Sequence, residues 1–372
     1  MRLTRAEINL TALEHNYCEI RNRVGANVKI MGVVKANAYG HGIIEIARAL
    51  EGNGCDYLGV AFLEEGIVLR KHGIRIPILV VGGLLGEQIE DFLLHDLDIT
   101  VASVSIAKRV DRQLRSQHGK KARVHLKIDT GMGRLGVKAE HALAFVQHVT
   151  KLSNLELVGI FSHFATSDDG DKAFAHEQLQ RFKHLLQQLE GAGIQIPLKH
   201  IANSGAIIDM PESYLSMVRP GILLYGYYPS KMTSESVDVK PVMSLKSKIV
   251  YLKEVPAKTS ISYGRTYFTD STTTIATVPI GYGDGYSRRL TNRTDVLVRG
   301  RHYPVVGTIC MDQLMVNVGR NSTVSIGDDV VLLGSDGEES ISGWEIAERL
   351  GTIPYEVLTG ISARVPRDFI RR

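Results

Sequence analysis

Cysteine is scarce in this chain: Cys18, Cys55 and Cys310 are the only three in 372 residues. An odd, scattered set excludes a disulfide framework and lacks the paired spacing of a zinc cluster, so a reducing compartment is expected and no metal site. No apolar run reaches the ~20 residues that a membrane helix needs. The opening stretch MRLTRAEINL lacks the apolar core of a secretory signal. A cytoplasmic location, away from any membrane, is the expectation. Charge of one sign is not concentrated either. The formal net charge of +4 is spread along the chain without a basic block, so nucleic acid is not an expected partner. Low-complexity tracts, short-period repeats and long flexible linkers are also missing. What remains is ordinary globular material, 44% hydrophobic and 23% charged, long enough for two domains or for one large barrel with an appendage.

Eight short apolar runs precede residue 230: VKIMGVV (28–34), YLGVAF (57–62), IPILVVGG (76–83), DITVAS (98–103), RVHLKID (123–129), LELVGIFSHF (155–164), LKHIANS (198–204) and MVRPGILLYG (217–226). Their hydrophobicity is continuous rather than alternating, as in parallel strands covered on both faces. Stretches with helical apolar spacing, such as GHGIIEIARALEGNG and HEQLQRFKHLLQQLEGAG, lie between them. Eight strands alternating with helices predict an α/β fold, a (β/α)8 barrel over residues 1–240, with a doubly wound open sheet as the alternative. Beyond Lys240-Pro241 the runs become shorter, partly alternating and punctuated by glycine, asparagine and aspartate. This predicts a mostly antiparallel β domain over 241–372, with one short helix in ISGWEIAERL capped by Ser342.

A barrel gathers its chemistry at the C-terminal ends of its strands. The polar residues there are Lys35 after the first strand, Lys127, Asp129 and Arg134 around the fifth, and His163 after the sixth. His200, Asn203 and Ser204 follow at the seventh, with Arg219, Gly221 and Ile222 at the eighth. Lys35 is the sharpest of them. An ammonium leaving water at a strand end needs a partner or a covalent use. Desolvation lowers a lysine's pKa and prepares it to form a Schiff base. A surface lysine leaving the core is the alternative that the residue alone leaves open.

The motif VVKANAYGHG resembles the cofactor-lysine segment of alanine racemases. The resemblance continues through KIDTGMGRLG, GIFSHFATSD, HIANSGA, VRPGILLYG, SYGRTY, GYGDGY, VGTICMDQLMV and GISARVPR, nearly the whole chain in the family's order. It implies a barrel followed by a β domain, a homodimer with shared active sites, pyridoxal 5'-phosphate as cofactor, and alanine as the small-molecule substrate. The product D-alanine would serve peptidoglycan synthesis. On this resemblance Lys35 binds the cofactor and is one catalytic base. Tyr263, from the partner subunit, is the other. Tyr39, Ser204, Gly221, Ile222 and Tyr355 hold the phosphate. Asn203 lies beside the cofactor, His163 stacks on its ring, and Arg219, held by His200, faces the pyridine nitrogen. An arginine there cannot hand over a proton, so the ring should be a weaker electron sink than one paired with a carboxylate. Arg134 is implied as a ligand of the cofactor's phenolic oxygen and the substrate carboxylate. Lys127 matches a lysine that is carbamylated in several members, an unmodified lysine being the alternative. Met311 offers its backbone N–H to the substrate carboxylate. Cys310 and Asp312 flank it, and Tyr282 marks the entrance. A free phenol titrates near pH ~10, so a tyrosine base needs nearby cations, with Arg265 a candidate. Gly283 and Ser287 stand where the family more often has alanine and proline, which bears on the entrance rather than on the chemistry.

Overall fold

The computed structural model describes residues 2–115, 121–320 and 322–371. Eight strands succeed one another, at Lys29–Val33, Tyr57–Val60, Ile78–Val80, Asp98–Val101, Ala122–Asp129, Leu155–Phe161, Leu198–His200 and Met217–Val218. Each of the first six pairs in parallel with the next, and the eighth returns to the first through Met217↔Lys29 and Val218↔Ile30. The seam between the seventh and eighth is bridged by Arg219 N–H to the Ala202 carbonyl at 2.9 Å and Ser216 N–H to the Lys199 carbonyl at 3.2 Å. The ring therefore closes, and the open-sheet alternative falls. Continuous hydrophobicity has the expected cause: the consecutive residues Ile78, Leu79 and Val80, which point to alternate faces, are all buried. Met31, Tyr57, Leu79, Phe161, Leu198 and Met217, from six different strands, pack into one cluster. Outside the sheet, helix Ala173–Gly191 buries Ala175, Gln178, Leu179, Phe182, Leu185 and Leu189, the three-to-four spacing of a helix with one apolar face.

The second compact unit comprises Met1–Ala12, Tyr39–Gly42 and Pro241–Arg372, leaving Leu13–Ala38 and Ile43–Lys240 to the barrel. A division at 240 is thus incomplete. Strand Arg5–Asn9 lies antiparallel to Met243–Lys248 and parallel to Arg367–Ile370. The reason is backbone pairing together with burial of Ala6 and Ile8, both fully enclosed. The sheet continues from Met243–Lys248 through Asp329–Asp336 and Asp295–Val298 to Arg301–Pro304, all antiparallel. A separate antiparallel sheet joins Tyr251–Val255, Thr273–Val278 and Leu314–Gly319. Helix Gly343–Leu350 begins as expected, with Ser342 Oγ accepting from Glu345 N–H at 3.1 Å. A further helix, Pro354–Gly360, was not anticipated from the sequence. Its proline sits in the first turn, where a missing N–H costs nothing. Among the described residues no helix is long and apolar enough to cross a membrane.

Candidate active site

The barrel brings its predicted polar residues to one end. Lys35 follows the first strand and opens a turn in which Ala36, Asn37, Ala38 and Tyr39 all have φ of 53–55°. Four successive non-glycine residues in the left-handed region cost roughly 1–2 kcal/mol each. Side chains repay part of this: Glu65 accepts Ala36 N–H at 2.6 Å and Asn37 Oδ1 accepts Ile43 N–H at 2.9 Å. The turn fixes the backbone beside Lys35. Burial, then the Arg134 charge, lower the pKa of the Lys35 ammonium, which favours the free amine that nucleophilic use requires.

Arg219 is buried at the end of the eighth strand, where both of its terminal nitrogens find partners. Its Nη1–H donates to His200 Nδ1 at 2.9 Å, and its Nη2–H groups to the Ser162 carbonyl at 2.7 Å and the Ile201 carbonyl at 3.1 Å. His163 Nδ1 lies 3.3 Å from the same Nη2. Burial pulls the Arg219 pKa down to about 9, still above neutrality, so the group remains a cation and a donor. His163 and His200 are pushed well below the ordinary histidine range by burial first and by Arg219 second. Both rings are therefore neutral. Phe161 stacks on His200 with centroids 4.9 Å apart, and it lies 4.8 Å from Lys127 Nζ and 5.5 Å from the Arg219 guanidinium carbon. Its π face offers the Arg219 guanidinium the weak attraction that a carboxylate would otherwise supply.

Lys127 is 4% exposed, and its Nζ has no hydrogen-bond partner among the described residues. Burial, then Arg219 and Arg134, hold its pKa well below the ordinary lysine range. Arg134 itself is exposed. Asp129, at the end of the same strand as Lys127, accepts the N–H groups of Gly131 and Gly133 at 2.9 and 3.1 Å and so shapes the loop that carries Arg134. Ser204 Oγ accepts Gly221 N–H at 2.9 Å and Leu223 N–H at 3.4 Å. A hydroxyl and backbone amides, Ile222 lying between these two, thus gather at the ends of the last two strands. Asn203 caps helix Ser204–Asp209 through Ala206 N–H and accepts Ser167 Oγ–H at 2.7 Å, so its carbonyl oxygen already serves the fold.

The remaining predicted residues lie in the β unit. Tyr39 and Tyr355 face one another with ring centroids 5.9 Å apart, and burial raises the Tyr39 phenol's pKa, keeping it a neutral donor. Tyr263, Tyr282 and Met311 are exposed, at 71%, 42% and 53%. One loop ties them together. Thr308 Oγ1–H donates to the Tyr263 carbonyl at 2.8 Å, Tyr282 N–H to the Cys310 carbonyl at 3.0 Å, and Gly283 N–H to the Met311 carbonyl at 2.9 Å. Arg364 Nη2–H donates to Asp312 at 2.6 Å. A Cβ at Gly283 would lie 2.2 Å from Arg364 Nη1, so glycine there lets that arginine reach the loop. Arg265 is engaged elsewhere: its Nε–H donates to Ser260 Oγ at 3.1 Å and its guanidinium lies over Phe268.

Two residues of the barrel interior escaped the sequence reading. His125 and Asp98 are fully buried beside His200. The available signal was a histidine two positions before Lys127 in an otherwise apolar strand, hence on the same face.

A strand-end amine whose pKa is lowered by burial and by Arg134, in a barrel that also buries an arginine between neutral histidines, marks an enzyme of imine chemistry. Comparison with known proteins narrows this. Residues 8–229 match the family model described as alanine racemase, N-terminal domain, and residues 242–369 match alanine racemase, C-terminal domain. Alanine racemase 2 of Caldanaerobacter subterraneus subsp. tengcongensis is 50% identical, over 100% of this chain and 96% of its own. The solved alanine racemase of Clostridium difficile 630 superimposes with a TM-score of 0.95 at 43% identity, covering 100% of this chain and 97% of that one. A histidine racemase from Leuconostoc mesenteroides subsp. sake superimposes at 0.91 with 29% identity, covering 99% and 98%. The chain belongs to the alanine racemase family.

Proposed function

We propose that this chain interconverts L- and D-alanine in the cytoplasm, with pyridoxal phosphate held covalently by Lys35, and so supplies D-alanine for peptidoglycan. The observation that carries the reading is the place of Lys35 at the end of the first barrel strand, its pKa lowered by burial and then by Arg134, in a chain that matches the alanine racemase family over both domains. The donor set suits the cofactor. Ser204 Oγ with the amides of Gly221 and Ile222, the neutral phenol of Tyr39 and the hydroxyl of Tyr355 match a phosphate. Arg219 matches an unprotonated ring nitrogen to which it donates, His163 the ring face, and Asn203 the ring's flank. When bound, the cofactor supplies the electron sink that acidifies the substrate Cα–H.

The chain's own residues divide the remaining work. Lys35 takes or returns the Cα proton on one face and Tyr263 on the other. Arg134 and the Met311 N–H bind the substrate carboxylate, while Cys310 and Asp312 hold the loop and Tyr282 lines the entrance. The exposure of Tyr263 and Met311 supports a homodimer in which these residues serve the partner's site. A neutral, unpartnered Lys127 amine fits carbamylation. Its Nζ bonds to the carbon of CO2 and releases one proton, and the new carboxylate fixes Arg134.

A racemase of wider substrate range is the second reading, favoured by the histidine racemase's likeness in fold. Excluding one methylene is worth only ~1–3 kcal/mol, so serine is an expected slow substrate. The test is a visible spectrum of the purified protein and chiral analysis of incubated L-alanine, then of serine, histidine, lysine and arginine. Colour, D-alanine formation and loss of both in Lys35→Ala are expected. Retained colour in Lys35→Ala, or a protein that refuses added cofactor and leaves L-alanine unchanged, would overturn the proposal.

A further inference from the structure

A continuous polar chain runs from Arg219 into the barrel interior. Arg219 Nη1 lies 2.9 Å from His200 Nδ1, and His200 Nε2 lies 3.0 Å from His125 Nδ1. His125 Nε2 lies 3.4 Å from Asp98 Oδ2. Asp98 Oδ2 also accepts the Tyr57 hydroxyl at 2.8 Å, and its Oδ1 accepts Arg123 Nε–H at 2.6 Å. Asp98, His125 and His200 have no solvent exposure and Arg219 has 5%. Room for the inner ring comes from Gly159, where a Cβ would stand 2.1 Å from His125 Nδ1.

Both ends of the chain are fixed by chemistry. A guanidinium only donates, so His200 Nδ1 must present its lone pair. The proton of a neutral His200 then sits on Nε2 and points at His125 Nδ1, which must accept. The His125 proton therefore sits on Nε2 and points at Asp98, a carboxylate that only accepts. At 3.4 Å His125 Nε2 makes no hydrogen bond of ordinary geometry, yet in a dry interior the carboxylate's charge still orients the N–H dipole. A His125 carrying both protons would force the His200 proton onto Nδ1, donor against donor with Arg219.

We propose that Asp98 and His125 are positioning residues of the reaction, which hold His200 in the acceptor state that locks the Arg219 guanidinium. The kinetic part rests on Arg219 serving the cofactor's ring nitrogen, as proposed above; the tautomers do not depend on it. Asp98→Asn is the discriminating change. Arg123 Nε–H demands an oxygen at the Oδ1 position, so the amide NH2 must occupy the Oδ2 position and face His125 Nε2. His125 Nε2 then accepts, its proton moves to Nδ1, the His200 proton moves to Nδ1, and a donor is turned on Arg219.

The experiment is two-bond proton–nitrogen NMR of the full-length protein labelled with [15N]histidine, with signals assigned from His125→Gln and His200→Gln. In the wild type both histidines should be neutral and protonated on Nε2. In Asp98→Asn both protons should transfer to Nδ1, with kcat for alanine lowered about tenfold or more and KM changed less than about threefold. A loss of thermal stability with unmoved protons and unchanged kcat would mean a merely structural role and overturn the proposal. So would a wild-type His200 protonated on Nδ1, a measurement that stands even if Asp98→Asn does not fold. Correct tautomers in a protein that leaves alanine untouched would instead overturn the proposed function alone.

Discussion

Replacing Lys127 by methionine should make the protein more stable and less active. The amine is 4% exposed and without a hydrogen-bond partner among the described residues, and an unsatisfied buried polar group costs about 1–3 kcal/mol. Methionine, one heavy atom shorter, fills most of the same space without a polar group and gives up the Nζ contact over Phe161 for the packing of a polarisable thioether. At about 2–4 °C per kcal/mol, the gain is a rise of roughly 2–12 °C in melting temperature. The pH dependence has a definite sign. Burial and two arginines lower the folded-state pKa of Lys127. Between that value and the unfolded lysine's, the unfolded chain binds the extra proton, and wild-type stability rises with pH. The advantage of Lys127→Met in CO2-free buffer should therefore be largest at low pH and shrink as pH climbs toward the unfolded lysine pKa. Bicarbonate should raise the wild-type melting temperature by loading the carbamate and leave the variant unmoved. The assay is scanning calorimetry at one scan rate across pH, with and without bicarbonate, beside racemisation rates. A variant less stable than wild type at neutral pH without CO2, or one equally active, would refute the reasoning.

Two further outcomes follow from dividing the bases between the units. Tyr263→Phe should leave cofactor colour intact and slow proton abstraction from L-alanine far more than from D-alanine, read by deuterium wash-in from each enantiomer; equal slowing would remove Tyr263 as the base of one face. Mixing Lys35→Ala with Tyr263→Phe, each inactive alone, should restore a measurable fraction of activity through hybrid dimers, and no recovery after verified subunit exchange would argue against shared sites.

The barrel was legible because its signal is local. Each strand is a short apolar run with polar residues at one end, and Lys35, His163, His200 and Arg219 all stand where that pattern puts chemistry. The N-terminal strand was not legible. Its pairing with Arg367–Ile370 joins segments more than 350 residues apart, and Arg5–Asn9 is too short to declare a side. Nor does Ala36-Asn37-Ala38 warn of a left-handed turn, since alanine ordinarily avoids that region; the conformation is imposed by Glu65 and by Asn37 itself. Asp98 opened a recognised strand and His125 lay inside another, yet each makes sense only once Tyr57, Arg123 and His200 from neighbouring strands converge on them.

Burial first, and the site's charges second, explain why these shifts share one direction. Arg134 adds to burial at Lys35, Arg219 and Arg134 add to it at Lys127, and Arg219 adds to it at His163 and His200, so the protonated form of each is disfavoured. Three carboxylates can answer these cations, and none does so fully. Glu65 raises the Lys35 pKa but already accepts the N–H groups of Ala36 and Ala61. Asp129 is tied to its own loop amides. Asp98 is held in its charged form by His125, Arg123 and Tyr57 against the cost of burial, and it reaches Arg219 only through two imidazoles. A barrel mouth with this excess of positive charge favours anionic ligands. A phosphate, a carbamate and a substrate carboxylate are the three that the proposed chemistry would bring, so the electrostatic cost of assembling the site becomes affinity for the molecules it acts on. Amines with lowered proton affinity and a mouth that favours anions are thus two consequences of burying these groups beside arginines.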